Sequence, residues 1–369
     1  MSANIPHAQL QVSKSGMVHN YNYFRSLLKK STKLMILIKA NSYGHGAIEF
    51  ARIMEEAGAD YFGVATPDEG IELKKNGIKV PIIVLDSGIE SYPDLLQYGL
   101  EPVIPNLESF TRFREIVRAQ GISKWPIHIN IDTGMHRLGF MEKEIPALKD
   151  FLKESPDMFI KSLFTHLAGA DDPQHNDFTF GQLTLFNRLS KDLMTIFREK
   201  PLRHALNTAG IERFTHYQFD MVRLGIGIYG ISYVDQSKVV PAAYFRCPIL
   251  QIKELTASDG TVGYGRHGQL GPEPKKIATI CVGYADGVNR HLGRGNASFE
   301  VNGKLAPTIG NICMDMCMLD ITGIEAKVGD TVTIFGAKPS AIDLAEILDT
   351  IPYEIFTSIS HRVRRVIID

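Results

Sequence analysis

Cysteine is scarce in this sequence, and neither sign of charge dominates. The four cysteines, Cys247, Cys281, Cys313 and Cys317, are too few to staple 369 residues. No CxxC or HExxH spacing accompanies them, so neither a disulfide framework nor a zinc site is expected, and they read as buried or incidental thiols. Lys plus Arg number 40 against 41 Asp plus Glu, a formal net charge of −1. That balance leaves no global basic field to hold nucleic acid or an anionic membrane. No apolar stretch approaches the ~20 residues needed to span a bilayer, and no basic segment followed by a long apolar core stands near the amino terminus. A cytoplasmic protein acting on a small molecule is expected. Internal repeats and low-complexity tracts are lacking too.

What is present is apolar content of 44% over 369 residues, enough to bury a large core and to suggest two domains. Short apolar runs alternate with longer amphipathic segments as far as about Ile231, the pattern of repeated βα units. The runs are Leu34 to Lys39, Tyr61 to Ala65, Val80 to Leu85, Glu101 to Ile104, Ile127 to Asp132, Ile160 to His166, Arg203 to Asn207 and Met221 to Ile226. Eight of them predict an α/β fold, a closed (β/α)8 TIM barrel, rather than an open sheet. Beyond Tyr229 the character turns mainly β, with strands expected over Phe245 to Leu255, Lys276 to Val282, Ala297 to Val301, Lys304 to Ala306 and Thr331 to Phe335. Asn302-Gly303 marks a two-residue hairpin, because both central positions of a type I′ turn need positive φ. A short helix over Ile342 to Leu348 and a segment after Pro352 close the chain. The expected division is 1–237 for the barrel and 238–369 for the mainly-β domain.

Barrel enzymes carry their chemistry at the carboxyl ends of the strands, so polar residues closing apolar runs are the first candidates. Lys39 ends the first run, Arg137 follows the fifth, His166 ends the sixth, Asn207 and Thr208 end the seventh, and Arg223 lies on the eighth. Any one alone is as readily a solvated or structural residue; six from five strands on one rim point to a site. A partly buried amine at Lys39 would lose its proton readily, which suits a lysine that condenses with an aldehyde cofactor. The stretch Arg223-Leu224-Gly225-Ile226-Gly227 offers backbone amides without bulky neighbours, a weak signal for a phosphate cradle.

Six segments together resemble the alanine racemases. They are Ile38-Lys39-Ala40-Asn41-Ser42-Tyr43-Gly44-His45-Gly46, Asp132-Thr133-Gly134-Met135-His136-Arg137-Leu138-Gly139, Val222-Arg223-Leu224-Gly225-Ile226-Gly227-Ile228-Tyr229-Gly230, Val262-Gly263-Tyr264-Gly265-Arg266, Gly283-Tyr284-Ala285-Asp286-Gly287 and Ile312-Cys313-Met314-Asp315. They run in order from about Met17 to Arg364. The resemblance implies pyridoxal 5′-phosphate as cofactor, alanine as substrate, and a supply of D-alanine for peptidoglycan.

Residue by residue, the resemblance makes Lys39 the cofactor lysine and the base on one face of the substrate, with Tyr264 the base on the other. Two bases on opposite faces spare a single group from moving around a planar carbanion. Tyr43, Thr208, Tyr353 and the backbone of Gly225 and Ile226 would hold the phosphate, with Asn207 beside them. Arg223 would face the pyridine nitrogen, where a permanent cation disfavours ring protonation and weakens the electron sink. His166 would pack beside the ring. Arg137 and the backbone at Met314 would orient the substrate carboxylate, and Tyr284 would narrow the substrate path. Arg266 would support Tyr264, since a nearby cation favours phenolate, while Asp286 and Asp315 would order loops at the site entrance. In this family the residues matching Tyr264, Tyr284 and Met314 complete the neighbouring chain's site, which implies a homodimer with shared active sites. His45, His128, His175 and His267 read as structural or solvent-facing.

At Asn130 the chain departs from the pattern. Many members of the family carry a lysine there, whose carbamylated form is an anion that orients the arginine matching Arg137. Asparagine cannot be carbamylated. Either its amide oxygen alone receives Arg137, or a small inorganic anion such as chloride supplies the missing charge. Other functions compatible with the sequence are a racemase of another small amino acid such as serine, a pyridoxal-phosphate decarboxylase of similar build, and a non-catalytic cofactor-binding protein; the second base argues against the last.

Overall fold

A computed structural model describes residues 6–369, which divide into two compact units. The described chain begins with β1 (Gln9–Ser13), then builds eight parallel strands closed on themselves. These are β2 (Lys33–Leu37), β3 (Tyr61–Val64), β4 (Ile82–Val84), β5 (Glu101–Ile104), β6 (Pro126–Asn130), β7 (Phe159–Phe164), β8 (Leu202–His204) and β9 (Met221–Leu224). β9 pairs back onto β2, with Lys33 opposite Met221, and leaves the barrel no edge. Parallel strands covered on both faces read as unbroken apolar runs, and β3, β4 and β9 are buried at every position. That is why all eight were visible as sequence.

The polar residues at the run ends fall outside the strands. β2 stops at Leu37, two residues before Lys39; β7 stops at Phe164 and β8 at His204. The ladder ends where the chain must turn into the loop that carries the side chain. Lys39, Arg137 and His166 therefore sit beyond the strands, held by a rigid wall, while Arg223 stays within β9 and Thr208 opens the helix Thr208–Arg213.

The second unit comprises the described residues up to Met17, Tyr43–Gly46 and Val240–Asp369. Its strands are β1, β10 (Ala243–Leu255), β11 (Thr261–Val262), β12 (Gly268–Gln269), β13 (Lys275–Ile280), β14 (Ser298–Val301), β15 (Lys304–Pro307), β16 (Cys317–Asp320), β17 (Thr331–Phe335) and β18 (Arg364–Ile368). One sheet runs β15-β14-β17-β10-β1-β18, and β13 pairs with both β10 and β16. β1 was expected within the barrel's stretch of chain; instead it lies antiparallel to β10 and parallel to β18, so the β unit draws a central strand from the start of the sequence. Its antiparallel strands alternate buried and solvated residues, as β14 and β16 show. Asn302 and Gly303 take φ of 48° and 79° between β14 and β15, the mirror-image turn the dipeptide predicts.

Candidate active site

Lys39 is followed by four consecutive residues in left-handed backbone, Ala40, Asn41, Ser42 and Tyr43, at φ between 50° and 55°. For non-glycine residues this costs roughly 1–2 kcal/mol each, so the turn must be held from outside. The Ala40 amide donates to Glu69 Oε1 at 2.5 Å, Asn41 Oδ1 accepts from the Ala47 amide at 2.8 Å, and Ser42 Oγ meets the Tyr229 hydroxyl at 2.9 Å. Tyr229 in turn donates to the Leu37 carbonyl at 2.8 Å, tying the turn to the strand that precedes Lys39. Glu69 and Tyr229 escaped the sequence reading, because each is brought to this turn only by the closed barrel.

Burial pushes the Lys39 amine below its ordinary range, and the Arg137 guanidinium pushes it further against a weaker pull from Glu69. His166 is pressed down to about 3 by burial and then by Arg223, Arg137 and Lys39, so it is a neutral imidazole, with Arg223 Nη2 3.4 Å from its Nδ1. Four of the rim candidates thus lie within electrostatic reach of one another. Arg223 is buried, donating to the Thr165 carbonyl at 2.7 Å, the Ala205 carbonyl at 2.9 Å and His204 Nδ1 at 2.7 Å.

Asn207 caps the helix Thr208–Arg213, its Oδ1 accepting from the Gly210 amide at 3.0 Å. Thr208 Oγ1 accepts from the amides of Gly225 at 3.1 Å and Gly227 at 3.3 Å, which leaves its own hydroxyl hydrogen to donate. The Gly225 amide is therefore directed at Thr208, while that of Ile226, first in its 3-10 turn, lies outside the turn's own hydrogen bonds. Arg137 is exposed and makes no hydrogen bond or ion pair among the described residues. Asn130 Nδ2 donates to the Leu138 carbonyl at 3.0 Å, so this amide fastens the backbone beside Arg137 and not its guanidinium.

The other candidates lie in the β unit. The rings of Tyr43 and Tyr353 stand 5.6 Å apart between centroids. Tyr264 occupies a turn between Gly263 at φ 78° and Gly265 at φ 66°, conformations that explain both glycines, and its side chain is 73% exposed. Asn311 holds this turn, its Nδ2 donating to the Tyr264 carbonyl at 2.8 Å while its Oδ1 accepts from Arg294 Nε at 2.7 Å. Arg266 shares the turn, yet its side chain pairs with nothing among the described residues.

Tyr284 and Met314 are joined by backbone, the amides of Tyr284 and Ala285 donating to the carbonyls of Cys313 and Met314 at 3.0 Å each. A Cβ on Gly283 would lie 2.2 Å from the Cys313 carbonyl oxygen, so only glycine permits this approach. Arg362 bridges Asp286 at 2.7 Å and Asp315 at 2.8 Å, binding the two loops together. Tyr264, Tyr284, Met314 and Met316 line a groove of about 1000 Å³ and are all exposed. His175 and His267 are solvent-facing, whereas His45 holds the Tyr43 carbonyl through Nδ1 at 2.9 Å. No cluster of metal-ligating side chains occurs among the described residues, and no helix among them is long and apolar enough to cross a membrane.

A closed barrel with Lys39 at its rim, followed by a β unit that carries Tyr264, is an arrangement suited to an amino-acid racemase of the two-domain type. The family model for the alanine racemase N-terminal domain matches residues 12–233, and that for the C-terminal domain matches residues 242–367. The chain belongs to the alanine racemase family. It is 34% identical to an alanine racemase of Halothermothrix orenii over 96% of this chain and 95% of that protein. To alanine racemase 2 of Caldanaerobacter subterraneus it is 35% identical over 98% and 94%. Among solved structures, alanine racemase of Clostridium difficile 630 superposes with a TM-score of 0.90 at 30% identity, covering 100% of this chain and 98% of that one. The enzyme from D-cycloserine-producing Streptomyces lavendulae gives 0.92 at 27% identity, with the same coverage.

Proposed function

We propose that this alanine racemase interconverts L- and D-alanine with pyridoxal 5′-phosphate, using Lys39 and Tyr264 as bases on opposite faces of the substrate. The observation that carries the reading is the rim around neutral His166, where the guanidinium groups of Arg137 and Arg223 act together with a Lys39 amine whose charged form burial disfavours, a setting suited to an anionic phosphorylated aldehyde. When bound, that cofactor supplies an electron sink conjugated to the substrate's α-carbon. The Lys39 amine, already driven toward its neutral form, removes or returns a proton at that carbon, and the Tyr264 hydroxyl does so from the other side. Thr208 donates its free hydroxyl hydrogen to the phosphate with the Ile226 amide, and Tyr43 and Tyr353 add neutral donors. Arg137 receives the substrate carboxylate, beside the backbone of Met314.

The working form is a homodimer in which the β unit of each chain closes the barrel of the other. The exposed tyrosines and methionines of the groove support this, since so apolar a cluster is seldom left to water. All four cysteines are free, in keeping with a reducing, cytoplasmic location. Purified protein is expected to racemise L-alanine fastest among small L-amino acids, read by chiral separation. Carbon dioxide release, or faster turnover of serine, would overturn the assignment.

With the Asn130 amide directed to Leu138, Arg137 is exposed with its guanidinium donors unpaired among the described residues, and a small inorganic anion such as chloride beside it is the reading to test. Activity should be indifferent to bicarbonate. Replacing chloride by a bulky, poorly coordinating anion at constant ionic strength should raise the alanine KM roughly threefold or more, and Asn130→Asp should abolish that sensitivity. An unchanged KM in the unmodified enzyme leaves no place for the anion.

A further inference from the structure

Barrel interiors are ordinarily filled by layers of branched apolar side chains. One layer here is polar. Five successive strands, β9 to β5, each contribute one residue to a continuous hydrogen-bonded chain: Arg223, His204, Ser162, His128 and Glu101. Arg223 Nη1 meets His204 Nδ1 at 2.7 Å, His204 Nε2 meets Ser162 Oγ at 2.9 Å, Ser162 Oγ meets His128 Nδ1 at 2.6 Å, and His128 Nε2 meets Glu101 Oε2 at 2.8 Å. His128, Ser162, His204 and Arg223 are buried, and the Glu101 side chain is 13% exposed.

The ends of the chain determine its polarity. A guanidinium can only donate, so His204 Nδ1 accepts and the ring proton sits on Nε2. That proton goes to Ser162 Oγ, whose hydroxyl then donates to His128 Nδ1, leaving the His128 proton on Nε2 to donate to Glu101. A carboxylate can only accept, so the direction required at this end agrees with the one imposed at the other. With this proton placement each imidazole carries one proton, and every donor points from the cation toward the anion. Burial and the neighbouring Arg223 hold His204 well below its ordinary range, consistent with the neutral ring.

We propose that Glu101 is a positioning residue for racemisation: through His128, Ser162 and His204 it orients the Arg223 guanidinium and keeps it cationic on the face it turns to the cofactor. A buried guanidinium with no anion is costly, and burial alone pulls Arg223 down to about 9. The aligned chain delivers the effect of a carboxylate without placing one at the cofactor ring. His128, which the sequence presents as a structural histidine, becomes a link in this chain. Besides His128, the titratable groups that act with Glu101 are Lys74 and Tyr61, and those around Arg223 are His166 and His204.

The role of Arg223 at the cofactor rests on the function proposed above; the polarity of the chain does not. The test therefore has two arms, on Glu101→Gln, Ser162→Ala and their double variant. In the first, 15N-histidine spectra of the cofactor-free protein should show His128 and His204 protonated on Nε2, and Glu101→Gln should shift the His204 ring resonances although the two side chains do not touch. In the second, each single variant should lower kcat of the holoenzyme roughly tenfold, the worth of one charge-assisted hydrogen bond, with the alanine KM within about twofold. The double variant should lose no more than Ser162→Ala alone, because a chain can be cut only once. Unshifted His204 resonances, or losses that multiply in the double variant, would overturn the proposal. Should Glu101→Gln fail to fold, Ser162→Ala reads the same chain at its midpoint, and an unchanged kcat there refutes it. Shifted resonances with an unchanged kcat in every folded variant would mean that the chain exists but Arg223 does not serve the reaction, which counts against the cofactor reading.

Discussion

Lys39→Ala is expected to fold, to hold no cofactor covalently, and to lose alanine racemisation by roughly 10⁴-fold or more, since one residue supplies both the amine nucleophile and a base. The fold should survive because Lys39 stands beyond the end of β2 and the left-handed turn after it is held by Glu69, Asn41 and Ser42, not by the lysine. Denaturation in acid followed by mass and absorbance measurement of trapped cofactor reads the first effect, and chiral chromatography the second. Cofactor still covalently attached in this variant would mean that another lysine carries it. The physical basis for the choice is local: burial and the Arg137 charge together push this amine toward the nucleophilic form.

Mixing Lys39→Ala with Tyr264→Ala should restore activity that neither variant has alone. If the barrel of one chain is completed by the β unit of its partner, a mixed dimer contains one site with both bases and one with neither. Random exchange makes about half the dimers mixed, so about a quarter of the sites are whole, and activity should recover to about a quarter of the unmodified enzyme. Subunit exchange verified by mass tagging without any recovery would refute a shared site. Tyr264→Phe sharpens the same point: the ring remains on its glycine-flanked turn, only the hydroxyl is lost, and turnover should fail more severely in the direction where that hydroxyl removes the proton. Equal residual single-turnover rates in both directions would speak against two bases.

The sequence by itself determined the eight barrel strands and the β character of the carboxy-terminal half, and it supplied the candidate residues for the chemistry. Parallel strands buried on both faces leave unbroken apolar runs, and Lys39, Tyr264, Arg137 and Arg223 lie in short motifs that can be read without their partners in space. The Asn302-Gly303 turn was legible for the same local reason. Tertiary structure alone decided what those residues touch. β1 pairs with β10 and β18 because the sheet offers it two open flanks, and nothing in Gln9–Ser13 names those partners. Glu69 and Tyr229 hold the strained turn after Lys39, and Asn311 holds the turn of Tyr264, across separations that no motif spans. The line from Arg223 to Glu101 is the clearest case. Apart from Arg223, each residue is unremarkable on its own strand, and only closure of the barrel, which brings five positions on neighbouring strands together, converts them into a hydrogen-bonded chain with a direction.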